Sequence, residues 1–272
     1  MLIFPTYQTI LTKPADSGGH VTTDLDTYYD FGNSSCYQSS SSDVTDLSGN
    51  GNGATVMNHS YASYSSNQGG HIILTYQSEA NKDNNQKIQF DTFNPLRTVG
   101  SGPFTLEFWF NPLYTTANNG HLFAHYPGSE NTRFLIRKDL SSDCRRLKVS
   151  SQFLTAWTEI DTDCYISGTG LSVGDPYGWE HLVVSRESQN TDGVKFYRNN
   201  SLIGEETSTL TYSDSDYTGS LPACIGEKPQ TTYSFNSGCP LKLGIFRLYI
   251  GTALTSTDVA THWNLDKSRF GL

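Results

Sequence analysis

Charge is scarce in this chain, and what there is leans acidic. Only 17% of residues are Asp, Glu, Lys or Arg, and hydrophobic residues make up 36%; both shares fall below ordinary globular usage. With 18 basic against 27 acidic residues the net charge is −9, which argues against nucleic acid or an anionic membrane as a partner. No run of 18 apolar residues occurs, so membrane insertion by a spanning helix is not expected. Met1-Leu-Ile-Phe-Pro-Thr-Tyr7 has neither a basic start nor a long apolar core, so it does not read as a secretory signal. The expectation is synthesis in a cytoplasm, with retention there or departure as part of an assembly.

Several chemistries lack their residues. Cys36, Cys144, Cys164, Cys224 and Cys239 form no metal-spaced pair, and the odd count favours free thiols. Cys144 with Cys164, or Cys224 with Cys239, are the pairs open to oxidation outside a cell. His20, His59, His71, His121, His125, His181 and His262 show no ligand pattern. His121 and His125 are four apart, but Gly120 and Tyr126-Pro127-Gly128 around them argue for loop or strand rather than a metal-binding helix. No Ser, Cys and His arrangement suggests a nucleophilic triad, and no glycine-rich loop leads a strand into a phosphate-binding helix. No repeat of solenoid or propeller period is present.

Ser, Thr, Asn and Gly fill the space, together with 16 Tyr and 14 Phe. Tyr, Thr and Phe favour pleated surfaces while Gly and Asn favour turns, which is an all-β composition. At 272 residues the chain suits one large β domain or two small ones. Residues 1–26 read as an extended arm interrupted by Pro5, Pro14 and Gly18-Gly19, either an edge strand of the main domain or a contact arm for a larger assembly. Strands are expected at 25–31, 71–76, 87–91, 133–137, 146–153, 179–186, 194–198, 201–205 and 241–250. The clearest alternation is Phe104-Thr-Leu-Glu-Phe-Trp-Phe110, where Phe104, Leu106, Phe108 and Phe110 share one face and Thr105, Glu107 and Trp109 the other. Burying four such side chains contributes roughly 1.5–3 kcal/mol each. Asp192-Gly193 and Asn199-Asn200 are hairpin turns by composition. One helix stands out at 255–264, with Thr255 as N-cap, Asp258 as its capping-box partner, and Val259 and Trp263 facing the sheet together. The tail is 265–272.

The segment Val44-Thr-Asp-Leu-Ser-Gly-Asn-Gly-Asn-Gly53 is a turn cluster. Its glycines alternate with Asn50 and Asn52, residue types that reach positive φ at low cost. Asp46 and Ser48 are placed to fold back onto nearby backbone N–H groups.

Three blocks together resemble the concanavalin A-like jelly-roll superfamily in its laminin G/pentraxin-type branch, over residues 28–264. They are 28–53 with this turn cluster; Phe104-Thr-Leu-Glu-Phe-Trp-Phe110 with Trp179-Glu-His-Leu-Val-Val-Ser185 and Val194-Lys-Phe-Tyr-Arg-Asn-Asn200; and Leu243-Gly-Ile-Phe-Arg-Leu-Tyr-Ile-Gly-Thr-Ala-Leu-Thr255. The resemblance implies a two-sheet antiparallel jelly-roll sandwich with one short C-terminal helix, spanning 27–264. Relatives include lectins, adhesive modules, glycan-degrading enzymes and phage or viral virion proteins.

Relatives often hold calcium at a sandwich edge, which makes Asp46, Asn50 and Asn52 the candidate ligands. Calcium wants six to eight oxygens, yet Gly244, Ile245 and Phe246 before Arg247 offer no carboxylate partner, so a structural turn is the favoured reading and no cofactor is required. Trp157-Thr-Glu-Ile-Asp-Thr-Asp163 is similar to the catalytic strand of laminarinase-like enzymes, with Glu159, Asp161 and Asp163 on one face. Asp163 replaces the usual Glu, and a solvated strand face is favoured over catalysis. Trp109, Tyr114, Tyr126, Trp157 and Tyr177 are the aromatic candidates for stacking on sugars. The functional expectation is a non-enzymatic virion structural protein, a capsid decoration or fibre component displaying a lectin-like domain. Its partners would be other virion proteins, further copies of itself (a homo-oligomer such as a trimer) and a cell-surface polysaccharide. The alternative is a free-standing carbohydrate-binding lectin, with or without calcium.

Overall fold

The computed structural model describes residues 19–75, 86–91, 102–113, 119–125, 132–141, 144–153, 156–161, 176, 178–187, 193–206, 222–227 and 238–272. Within them the first strands are β1 Leu25–Asp30, β2 Asp43–Val44, β3 Ala54–Met57, β4 Ser63–Ser65, β5 His71–Leu74, β6 Lys87–Phe90, β7 Phe104–Pro112 and β8 Asn119–His125. They are followed by β9 Thr132–Ser141, β10 Cys144–Phe153, β11 Ala156–Asp161, β12 Glu180–Arg186, β13 Val194–Arg198, β14 Ser201–Glu206, β15 Cys224–Ile225 and β16 Leu241–Ile250, then the helix α1 Ser256–Asp266 and a 3₁₀ turn Lys267–Phe270. One antiparallel sheet runs β14-β13-β12-β7-β16-β5-β4, with β1 also paired to β16; the other runs β11-β10-β9-β8-β15-β6-β3-β2. This is the expected two-sheet sandwich.

The inner faces meet in an aromatic core. Phe108, Phe123 and Phe246 pack with ring centroids 5.1–6.3 Å apart, and Phe90 and Tyr29 extend the group. All four residues of the expected core face of β7, Phe104, Leu106, Phe108 and Phe110, are buried. Asn199 and Asn200 both take positive φ, 48° and 66°, which is the backbone of the two-residue hairpin turn that their sequence asks for. Cys36, Cys224 and Cys239 are buried free thiols, so Cys224 and Cys239 do not pair. Burial pushes the Cys36 and Cys224 thiols up to about 12, which leaves them unreactive. Cys144 is known only as a strand position, and Cys164 lies outside the described residues.

Both ends of the expected domain extend further than the sequence indicates. Residues 1–18 of the arm lie outside the described residues, but 19–26 are docked. Val21 packs beside Leu25, Tyr249 and Val259, and β1 begins at Leu25. Residues 265–272 are not a free tail: Phe270 is buried, and Arg269 makes a two-pronged ion pair with Asp30. The helix begins as expected, with a complete capping box between Thr255 and Asp258.

Gly244 lets this end close. β16 bulges there, between the pairings Leu243–Phe110 and Ile245–Trp109. A Cβ at this position would lie 2.5 Å from Phe270 Cε1 and 2.7 Å from Cζ. Overpacking of this kind costs about 1–3 kcal/mol. Gly244→Ala is therefore expected to lower the melting temperature by about 5 °C at the usual conversion for a chain this size, read by thermal denaturation; an unchanged melt would show that the Phe270 ring is not fixed.

Candidate functional site

Antiparallel register assembles a buried charge cluster on the outer face of the first sheet. β7 sets Glu107 opposite Arg247 of β16 and Trp109 opposite His181 of β12. Helix α1 then lowers His262 onto the same spot. Glu107 Oε1 accepts from His181 Nε2 at 2.9 Å and from Arg247 Nη1 at 3.0 Å, and Oε2 accepts from His262 Nδ1 at 2.9 Å. Arg247 Nη1 reaches Asp266 at 3.1 Å, and His20 Nε2 sits 3.0 Å from Asp266 and 3.2 Å from Arg247 Nη2. The Val21 N–H points at His262 Nε2 from 2.9 Å. Burial alone would push the Glu107 carboxyl up. The His262 imidazole, the Arg247 guanidinium and the hydrogen bonds from His181 and His262 outweigh it and hold the group well below the usual carboxylate range. Glu107, His181 and His262 are 0% exposed and Arg247 is 1%. A substrate cannot reach them, so the cluster is a clamp that joins sheet, helix and residues 20–21.

This arrangement corrects the placement of Trp109. It was a candidate sugar platform, but its ring is fully buried and stacked against His181 (4.6 Å), Phe270 (4.7 Å) and Trp263 (5.4 Å). Alternation put Trp109 on the face away from the core; the helix and the last turn cover that face.

The candidate metal ligands are likewise engaged elsewhere. Asp46 Oδ1 accepts the N–H groups of Tyr28 and Ser48 at 2.9 Å, and Oδ2 accepts Ser48 Oγ–H at 2.7 Å and Asn52 N–H at 3.0 Å. Asn50 and Asn52 both turn their NH₂ groups toward the Asp26 carbonyl. An NH₂ group is no metal ligand, and a carboxylate with four donors has its acceptor sites filled. Calcium does not fit this loop. Among the described residues no three His, Cys, Asp or Glu side chains are arranged to hold a metal ion. The positive φ values fall on Gly49 and Gly51 and not on the asparagines, whose side chains instead brace β1. Addition of millimolar calcium or of chelator is expected to leave the melting temperature unchanged; a shift of several degrees would restore the metal reading.

Of the remaining candidates, Tyr114, Tyr126, Tyr177 and Asp163 lie outside the described residues. Trp157, Glu159 and Asp161 occupy alternate positions of β11, opposite Gln152, Ser150 and Lys148, on the last strand of the second sheet's path. The two aromatic candidates that are described, Trp109 and Trp157, stand on different sheets.

An exposed aromatic group does exist, at the opposite sheet edge, and the strand patterns did not point to it. It lies on Asn58-His-Ser-Tyr-Ala-Ser-Tyr-Ser-Ser-Asn-Gln-Gly-Gly70. Tyr61 is 49% exposed and Tyr64 38%. The Tyr64 ring lies 6.2 Å from that of Tyr37, which in turn is 6.4 Å from His59. Among the described residues β4, which carries Tyr64, pairs with β5 alone and ends the strand order of its sheet. Asn58 (φ 55°) and Gln68 (φ 52°) both stand in the left-handed region; asparagine takes it at low cost, whereas at Gln68 it is a strained state that persists only where neighbours enforce it. Gln68 Oε1 accepts the Trp179 indole N–H at 2.6 Å, and Arg269 Nη2 donates to the Gly69 carbonyl at 2.9 Å. The available sequence signal is charge: no Asp, Glu, Lys or Arg occurs from 47 to 78. Tyr, Ser, Gly and Asn are also the residues that build adaptable recognition surfaces.

A family model of laminin G type, described as the concanavalin A-like lectin/glucanases superfamily, matches residues 82–260. The chain belongs to the concanavalin A-like lectin/glucanase superfamily. Curated protein sequences give no match to this superfamily member. Solved structures do share its fold. The binding domain of Paraclostridial Mosquitocidal Protein 1 is 16% identical with a TM-score of 0.60, over 89% of this chain and 52% of that one. Botulinum neurotoxin type C, in a structure whose subject is cell entry through two ganglioside molecules, is 14% identical with a TM-score of 0.58, over 81% and 48%. The binding domain of botulinum neurotoxin DC in complex with SialylT is 11% identical with a TM-score of 0.60, over 89% and 52%. The superfamily member thus spans about half the length of these neighbours, and at such identities the likeness shows the fold.

Proposed function

We propose that this domain is a non-enzymatic glycan-binding module that contacts its ligand through the Tyr61/Tyr64 edge. One observation carries the reading: two exposed tyrosines project from an uncharged, hydroxyl- and amide-rich segment whose backbone is fixed by Trp179 and Arg269. Tyrosine offers a rigid, amphipathic surface at low entropic cost, and ring faces pack against the C–H faces of sugars. Superfamily membership supports the ligand class. So do the structural neighbours solved for ganglioside-dependent cell entry and in complex with SialylT. The buried carboxylates support the non-enzymatic part, because Glu107 and Glu180 are tied up in ion pairs with Arg247 and Arg198.

Truncating a central interface tyrosine costs more than about 1 kcal/mol at a hot spot, or on the order of tenfold in affinity for 1.4 kcal/mol. Tyr61→Ala/Tyr64→Ala is expected to reduce retention on immobilised polysaccharide by at least about tenfold while leaving the melt unchanged, since both rings are exposed. Undiminished retention would count against this edge.

Display in many copies, as on a virion fibre or capsid, belongs to the same reading. Single sugar sites are weak, and multivalency raises avidity by roughly 10²–10⁴. Mass spectrometry of purified virions tests that part: the chain is expected among their proteins, and its absence overturns the virion placement.

A further inference from the structure

We infer that the Tyr61/Tyr64 edge takes uncharged hexose units and discriminates against sialylated and sulfated glycans. The inference rests on the glycan-binding reading and adds the class of sugar.

The argument is the bookkeeping of charge around the edge. No Asp, Glu, Lys or Arg occurs within 47–78, so the segment itself brings none. The guanidinium nearest in contact is Arg269, and it is engaged on both prongs: Nη1 with Asp30 Oδ2 at 2.9 Å, Nη2 with Asp30 Oδ1 at 2.6 Å, and Nη2 also with the Gly69 carbonyl. Lys242 stands in one cross-strand row with Ile73 and Ser63. Side chains alternate along a strand, so that row faces away from Tyr64, which shares its row with Ile72. Lys87, across the ladder from Met57, is buried, and the chain as a whole carries a net charge of −9.

A carboxylate or sulfate brought here would lose water without gaining an exposed cation among the described residues, and it would approach a chain of like net charge. An uncharged hexose meets neither obstacle. Its C–H face lies on the tyrosine rings, and its hydroxyls find exposed polar side chains at Ser60, Ser66 and Asn67.

The experiment uses the full chain on an array carrying sialylated oligosaccharides beside the same oligosaccharides after sialidase treatment. A second arm compares agarose with carrageenan as a neutral and a sulfated galactan in affinity gels. Both are run at pH 8, so that imidazoles contribute no charge. The expected result is at least tenfold stronger binding to the uncharged partner of each pair, abolished in Tyr61→Ala/Tyr64→Ala. Equal or stronger binding to the anionic partner overturns the inference and leaves the lectin reading standing. A neutral preference that survives the double substitution also overturns it, because the selective site then lies elsewhere. Binding to no glycan of either kind sinks the lectin reading together with the inference.

Discussion

Glu107→Ala is expected to destabilise the domain by about 3–5 kcal/mol, the cost of leaving a buried charge without its partner. Arg247 is the charge left behind, 1% exposed, with Asp266, His20 and the face of the Tyr28 ring as its remaining described partners. The loss should appear as a fall of about 10 °C in melting temperature and as a lower denaturant midpoint. Glu107→Gln keeps the shape and removes only the charge, which allows the pH dependence to be isolated. The folded carboxyl titrates well below its ordinary value, whereas in the unfolded chain it titrates near about 4.3. Its contribution is therefore fully present above that unfolded value and is lost as the pH falls through the folded one. The stability gap between wild type and Glu107→Gln should be widest near neutrality and close in acid. A gap independent of pH would mean that the Glu107 charge does not stabilise the fold.

Trp109→Ala should be comparably severe, at about 3–5 kcal/mol for truncating a large buried aromatic, with each lost ring pair adding to the cost beyond its area. Its ring is the plate on which His181, Trp263 and Phe270 stack. The damage should fall first on the outer layer. Hydrogen exchange should accelerate across α1 and the following turn before it does so in β7 and β16, since local openings track local packing. Uniform acceleration would show that the helix and the sandwich unfold as one unit.

These two side chains mark the boundary of what the sequence discloses. Phe104, Leu106, Phe108 and Phe110 were legible because a period of two needs only neighbouring residues. The capping box at Thr255 and the Asn199-Asn200 turn were legible for the same reason. The Glu107 clamp joins residues 20, 107, 181, 247, 262 and 266, and no local pattern relates them. Strand register brings Arg247 opposite Glu107, and helix docking adds His262. The sequence did place Val259 and Trp263 toward the sheet, which is half of the reason Trp109 is covered. The Tyr61/Tyr64 edge was missed because β4 is three residues long and has no alternation to read. Its signal was a gap in charge, visible only when the absence itself is counted.

Arg269 has a mechanical meaning as well. Residues 20–21 and 266–270 lie together on the outer layer, joined through His262 to Val21 and through Asp266 to His20. A domain held by its two ends would carry tension across these contacts before the sandwich felt it. Arg269 sits on that line of force through Asp30, and the same guanidinium also holds the carbonyl of Gly69 at the tyrosine edge. Force entering the outer layer and the backbone of the tyrosine edge thus meet at one side chain.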